Sequence, residues 1–244
     1  MSIFFHQYFD LDIIRSNFSF VLEGFGQMLL LSVVAGALAM AWGLVLALLR
    51  QSPGRPMMPV RGIAIAYIDV MRGIPLLLVI LLVSGSIPFL TFLPHALRFP
   101  DFFGKPDIFW FGIFSLTLTY GAYYAEVYRS GLEGVPYGQT EAARSLGMSY
   151  RQSMRHVIVP QAVRRVIPPL LNDFIALMKD TSLVQVIGLV EVVRAGREVQ
   201  AETFNSSALT LGALMFVVVT IPLARIVDHM QTRDQRLRGA GGAV

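Results

Sequence analysis

No cysteine occurs among the 244 residues. Disulfide staples, thiolate nucleophiles and cysteine-ligated metals are therefore excluded. Lysine is nearly missing as well, with Lys105 and Lys179 standing against eighteen arginines. Charge of either sign is scarce: 15% of residues are charged, against about 25% in soluble domains. The four histidines, His6, His95, His156 and His229, are scattered without metal-ligand spacing, so no metal site is expected. There is no Gly-x-x-x-x-Gly-Lys-Ser/Thr phosphate loop, and hence no expected nucleotide or other cofactor on this chain. Internal repeats and low-complexity tracts are lacking too.

What is abundant is hydrocarbon. Hydrophobic residues make up 55% of the chain, and the mean hydropathy is +0.60. Crossing a bilayer takes roughly 20 apolar residues, and approximate spans are read at 27–49, 73–93, 108–127, 166–190 and 209–227. The fold class expected is an all-α integral membrane protein with five transmembrane helices, residues 1–244 forming one domain. Asp10, Asp12, Arg15 and Glu23 punctuate the N-terminus, which does not read as a signal peptide. Ile13, Ile14, Phe18, Val21 and Leu22 suggest an amphipathic helix lying along the interface. Residues 61–72 read as a second interfacial helix, turning inward at Gly73 and Pro75.

The net charge of +4 is read as topology rather than as nucleic-acid binding. Arg50, Arg55 and Arg61 lie in the first loop; Arg129, Arg144, Arg151, Arg155, Arg164 and Arg165 in the third; and Arg233, Arg236 and Arg238 in the tail. The other connections are balanced or acidic. Cytoplasmic loops collect arginine, which places the N-terminus outside and the C-terminus in the cytoplasm.

The third loop is too well made for a linker. Thr140 can cap a helix over 141–146, and Gly147 suits the left-handed residue that ends it. Ser149 and Gln152 have capping-box spacing, and Pro160 is a stop. Ala142 and Ala143 would let a partner surface approach the helix backbone, with Glu141, Arg144 and Arg151 placed to pair with it. An ordinary helical loop explains the same residues.

The run "EAARSLGMSYRQSMRHVIVP" resembles the coupling-helix motif of ABC-importer membrane subunits, matching at Glu141, Ala142, Ala143, Gly147 and Pro160. Val157 and Val159 stand where that pattern has Ile and Leu. "YIDVMRGIPLLL", "PQAVRRVIPPLLNDFIALMKDTSL" and "RAGREVQAETF" are similar to the polar amino-acid permease branch, over about residues 67–204. The resemblance implies the MetI-like type I importer fold in a bacterial inner membrane. It implies a second permease subunit, identical or paralogous, and two cytoplasmic ATPase subunits that carry ATP and magnesium. It also implies an extracytoplasmic amino-acid-binding protein, with residues 137–160 docking in a groove of the ATPase. The chain itself is not expected to be an enzyme.

The fourth span carries "ALMKDTSLVQVIG". A charge at mid-bilayer costs ~2.5–3.5 kcal/mol, so Asp173, Lys179 and Asp180 facing lipid together would cost on the order of 8–10 kcal/mol. They must face protein or a wet cavity. Residues seven apart share a helix face, pairing Asn172 with Lys179 and Asp173 with Asp180. Ser182 and Gln185 repeat the capping-box spacing, so a new helix is expected to start near Thr181 and Ser182 with its N–H groups aimed at an anionic ligand group. Lys179 and those N–H groups suit the carboxylate of a zwitterion, and Asp173 or Asp180 its ammonium. Alternatively, Lys179 and Asp180 neutralise each other and only join the spans. The resemblance favours the substrate path. Arg72 is read as structural, anchoring the second span together with Gly73 and Pro75; Tyr120, Tyr123 and Tyr124 are read as lining a dimer axis or, equally, as belt tyrosines at the membrane interface.

Two readings from other classes remain open at this point. One is an intramembrane hydrolase using Ser182 and Lys179. The other is a self-sufficient secondary transporter, which would normally show two related halves.

Overall fold

Asp10 opens the longest helix. In the computed structural model, which describes residues 2–240 and the side-chain surroundings of 3–232, its carboxylate accepts from the N–H groups of Asp12 and Ile13. That caps α2 (Leu11–Arg50), which follows a short helix α1 (Ser2–Phe9). The interfacial helix expected around Ile13–Leu22 is not a separate element. It is the first turns of the same 40-residue helix that holds the first span. No glycine or proline interrupts the chain between Asp10 and Glu23, so the helix has no reason to stop.

The buried stripe of α2 includes Gly24, Ala35, Gly36, Ala39, Gly43 and Ala47. Small residues let helices meet backbone to backbone inside a membrane. A Cβ on Gly43 would stand 2.7 Å from the Cβ of Tyr124 and 2.8 Å from the carbonyl of Gly121. Both partners belong to α6 (Asp107–Glu133), the helix on which α2 packs most extensively.

Helix α3 (Met58–Gly73) ends where Ile74 becomes extended ahead of Pro75. Crowding by the proline ring disfavours helical backbone at the preceding residue. Helix α4 (Leu76–Ser86) leaves the corner at 109°, in agreement with the turn expected at Gly73 and Pro75. It is shorter than the 73–93 span read from hydropathy. A 3₁₀ turn (Ile87–Phe89) and the short helix α5 (His95–Arg98) complete the connection to α6.

Three boundaries of the second half differ from the expectation. Helix α7 (Tyr137–Ser145) starts after Pro136, so Thr140 lies inside it and caps nothing. Helix α8 (Tyr150–Ser153) passes through a π turn at Met154–Ile158 straight into α9 (Val159–Asp180). Pro160 thus sits just past the π turn inside a helical run that continues through it, and does not stop the helix. Thirdly, α9 does not break at Asp180. It tightens into a 3₁₀ helix (Thr181–Ile187), and the chain turns only at Gly188, with φ +107°.

Glu191, fully buried, then caps α10 (Val192–Thr203) by accepting from the N–H groups of Val193 and Arg194. Burial pushes its carboxyl above the usual range, while the two N–H bonds favour the charged form. Helix α11 (Ser207–Ala240) closes the described chain; the side chains of Arg233, Arg236 and Arg238 lie outside the described residues. The 204–207 turn holds α1: Ser206 N–H donates to the carbonyl of Gln7 at 2.9 Å, and Asp10 N–H to Ser207 Oγ at 2.8 Å.

The two largest apolar clusters hold most of the core. One joins α2, α4, α6 and the end of α9, and the other joins α2, α9, α10 and α11. Residues 3–50, helical on both sides of Asp10, and Ser207–Thr232 are long and apolar enough to cross a bilayer. The bent α3–α4 pair makes a third if counted as one span.

Candidate functional site

The α3–α4 corner, α6 and α9 enclose a pocket of about 520 Å³, lined by Arg72, Tyr120, Tyr123, Asp173, Ala176 and Asp180 among others. Each element contributes for a local reason. Asp173, Ala176 and Asp180 recur at spacings of three and four on α9, which is one helical face. Tyr120 and Tyr123 do the same on α6. Arg72 is brought in by the corner, being the penultimate residue of α3 before Pro75 bends the chain away.

The polar groups are tied to one another. Tyr120 Oη donates to Asp180 Oδ2 at 2.7 Å. The guanidinium of Arg72 lies 5.6 Å from the centre of the Tyr123 ring, and Nη1 is 3.8 Å from Glu126. Glu126 also pairs with Arg50 and, at 2.8 Å, with Arg129. Glu126 therefore meets three arginines near the end of α6. This cluster also fixes the ends of α2, α3 and α6 side by side.

The stripe read from the sequence divides in two. Asp173 and Asp180 are half-buried and line the pocket; Asn172 and Lys179 are exposed and do not. Neighbours in sequence point about 100° apart on a helix, and here that angle separates pocket from periphery. Among the described residues, the Lys179 amine has no hydrogen-bond or ion-pair partner, so the expected neutralisation of Asp180 by Lys179 is not formed. Asp180 has Tyr120 instead.

Thr181 and Ser182 do not begin a helix. Thr181 Oγ1 donates to the Met178 carbonyl at 2.7 Å and Ser182 Oγ to the Lys179 carbonyl at 2.8 Å. The N–H groups expected to face a ligand there are not released, and the second capping box does not exist. The hydrolase reading fails on the same bond, because Ser182 meets the backbone of Lys179 and not its amine. Tyr120 and Tyr124 are buried within the subunit, 5% and 0% exposed, and do not line an external axis; Tyr123 faces the pocket. Arg72, read as an anchor alone, is a pocket residue. Its signal was the proline two residues after the next glycine, which aims the end of α3 inward.

The 137–160 segment is ordered by its own residues. Gly147, at φ +81°, ends α7 in a Schellman motif: Met148 N–H reaches the Ala143 carbonyl at 3.2 Å, and Gly147 N–H reaches Arg144 at 2.9 Å. Ser149 and Gln152 form both halves of the capping box. Glu141, Ala142, Arg144, Arg151 and Leu146, the last 84% exposed, form an outer surface. Ala143 is not part of it. It is 4% exposed, turned toward the π turn that α7 packs on.

Comparison with known proteins agrees with this architecture. Residues 39–235 match the family described as "Binding-protein-dependent transport system inner membrane component". The chain is 36% identical over 234 residues to the probable glutamine ABC transporter permease protein GlnM of Bacillus subtilis, covering 93% of this chain and 99% of that one. It is 34% identical to the arginine transport system permease protein ArtQ of the same organism, over 83% of this chain and 87% of the relative. A crystal structure of an amino acid ABC transporter with histidines superimposes with a TM-score of 0.78 at 31% identity, over 91% of this chain and 97% of that one. A methionine ABC transporter permease, 18% identical with a TM-score of 0.68, shares the fold. With the matched region spanning the packed helices and the pocket between them, the chain belongs to the inner-membrane components of binding-protein-dependent transport systems.

Proposed function

We propose that this chain is half of the translocation path of an ATP-driven amino-acid importer in a bacterial inner membrane. The observation that carries the reading is the pocket itself. Two carboxylates on α9 face a guanidinium from the α3–α4 corner across a space of about 520 Å³. A zwitterionic amino acid needs opposite charges a few ångströms apart, and this pocket offers them. Arg72 receives the carboxylate, bidentate where geometry allows. Asp173 and Asp180 receive the ammonium, with Tyr120 holding Asp180 in place. Two acidic groups against one basic group favour a neutral or cationic substrate side chain over an acidic one. The relatives named for glutamine and arginine transport, and the transporter solved with histidines, fall in that range, whereas the glutamate/aspartate import permease GltK of Escherichia coli, 31% identical, falls outside it.

The chain makes five crossings, with the N-terminus outside. Support comes from the loop arginines and from the two ends of the bundle. Arg50, Arg72 and Arg129 meet at Glu126 at one end, whereas α1 joins the 204–207 turn at the other. The single domain pairs with a second permease subunit. The surface of Glu141, Ala142, Arg144, Leu146 and Arg151 docks on ATPase subunits that hold ATP and magnesium, and an extracytoplasmic binding protein delivers the substrate.

The test is uptake of radiolabelled arginine, histidine, glutamine and glutamate by proteoliposomes containing this permease, its partner ATPase and its binding protein. Uptake of a cationic or neutral amino acid that disappears with Asp173→Asn, while ATPase subunits still co-purify, is the expected result. Wild-type uptake by that variant would remove the pocket from the path.

A further inference from the structure

A second cavity, about 910 Å³, lies away from the polar pocket and is almost wholly apolar. It is a groove bounded by α2 between Leu38 and Val45, by α6 between Trp110 and Leu118, and by the α4–α6 connection between Ile87 and Pro100. The two cavities use opposite faces of α6. Phe114 lines the groove and Tyr123 the pocket; nine residues are about two and a half turns at 3.6 residues per turn, so the two side chains point opposite ways. If the pocket faces the path between paired subunits, as proposed above, the groove faces lipid.

Three features give the groove a chemical direction. The connection that roofs it is unusually greasy for a segment between spans, with Phe89 79%, Phe92 78% and Phe103 93% exposed. Exposed apolar surface of that kind marks a contact with membrane or partner. Next, Trp110, an amphipathic ring of the kind found where hydrocarbon meets headgroup, is part of the groove wall. Finally, Arg98 stands on the rim, between the wall residues Leu97 and Pro100. Its Nε donates to the Pro88 carbonyl at 2.8 Å, and among the described residues its terminal nitrogens meet no carboxylate.

We infer that this groove binds a phospholipid, with an acyl chain along the apolar wall and its anionic phosphate at Arg98. The hydrocarbon fills the space between α2 and α6, which no side chain of this subunit occupies. The ester region lies at the depth of Trp110, the residue type that favours the interface between hydrocarbon and headgroup. The guanidinium supplies the charge-assisted bonds that phosphate prefers. Because the α4–α6 connection both roofs the groove and continues to the corner carrying Arg72, an occupied groove holds α4 in place.

The experiment uses the assembled transporter purified in mild detergent. Phosphatidylglycerol with a diazirine in its acyl chain is irradiated with the wild-type protein, and adducts are mapped by peptide mass spectrometry. Adducts concentrated in residues 38–45 and 110–118 are expected. Ala41→Phe, which fills the groove, should lower them several-fold, and Arg98→Gln should lower them while weakening the preference over phosphatidylcholine. Adducts spread evenly over the outer helix faces would overturn the proposal, as would unchanged labelling in Ala41→Phe. So would efficient cross-linking of Ala41→Cys to the same position of a second permease, a clean experiment in a chain without cysteine. Asp173→Asn separates the two readings: transport tests the pocket, whereas its lipid adducts should match the wild type.

Discussion

Ser149–Gln152 and Ser182–Gln185 have the same residues at the same spacing, yet only the first is a capping box. The difference lies in what comes before. Ahead of Ser149, Gly147 takes a left-handed conformation and ends α7, so Ser149 is extended, with φ −63° and ψ 161°, and its side chain is free to cap. Ahead of Ser182 the chain is still helical: Thr181 has φ −58° and ψ −26°. Ser182 therefore bonds back to the Lys179 carbonyl instead. A cap needs a helix that has already stopped. The glycine that stops α9 comes later, at 188, and the residue that caps the next helix is Glu191.

In the function proposed, the region around Ser182 works by charge and that around Ser149 by shape. Five substitutions sharpen that contrast. Asp180→Asn, assayed by uptake in proteoliposomes, should have the largest effect. Losing a charged hydrogen-bonding group is worth ~1.5–3 kcal/mol, or about 10- to 100-fold in rate if it binds the transition state for passage. Gly147→Val comes next, at roughly 1–3 kcal/mol of backbone strain. Because the strain falls on the loop proposed to dock on the ATPase, uptake should fall further than ATP hydrolysis does; equal loss of both would argue against a coupling role.

Ser149→Ala should cost ~1 kcal/mol, the usual value of an N-cap, whereas Ser182→Ala should change thermal unfolding hardly at all. Equal shifts for the two serines would break the comparison outright. Lys179→Met should have the smallest effect, leaving uptake and assembly near wild type, since the amine has no partner among the described residues and lies outside the pocket. The double variant Lys179→Met with Asp180→Asn should then match Asp180→Asn alone. Recovery in the double variant would restore the paired-charge reading.

Much of the site could be read from the linear sequence, but its assignments could not. The cost of charge in hydrocarbon forced Asp173 and Asp180 inward, and both line the pocket. The same argument included Lys179, because an energy of burial does not say which way a side chain turns. It also missed Arg72 as a pocket residue, since nothing local places the end of α3 against α9. Ala142 and Ala143 were alike on paper; only the fold shows that Ala143 packs against its own chain while Ala142 faces out.

By itself the sequence determined that the chain is helical and membrane-embedded, that a corner stands at Gly73–Pro75, and that a capped helical loop follows α6. Each of these follows from local terms: hydropathy over about 20 residues, the restricted backbone before proline, and the left-handed tolerance of glycine. The tertiary structure decided which face of α9 meets the corner, which hydroxyls stay bonded to their own helix, and that α6 separates a polar pocket from an apolar groove. Those outcomes depend on the close approach of α2 to α6 at Gly43, a contact between residues far apart in the chain.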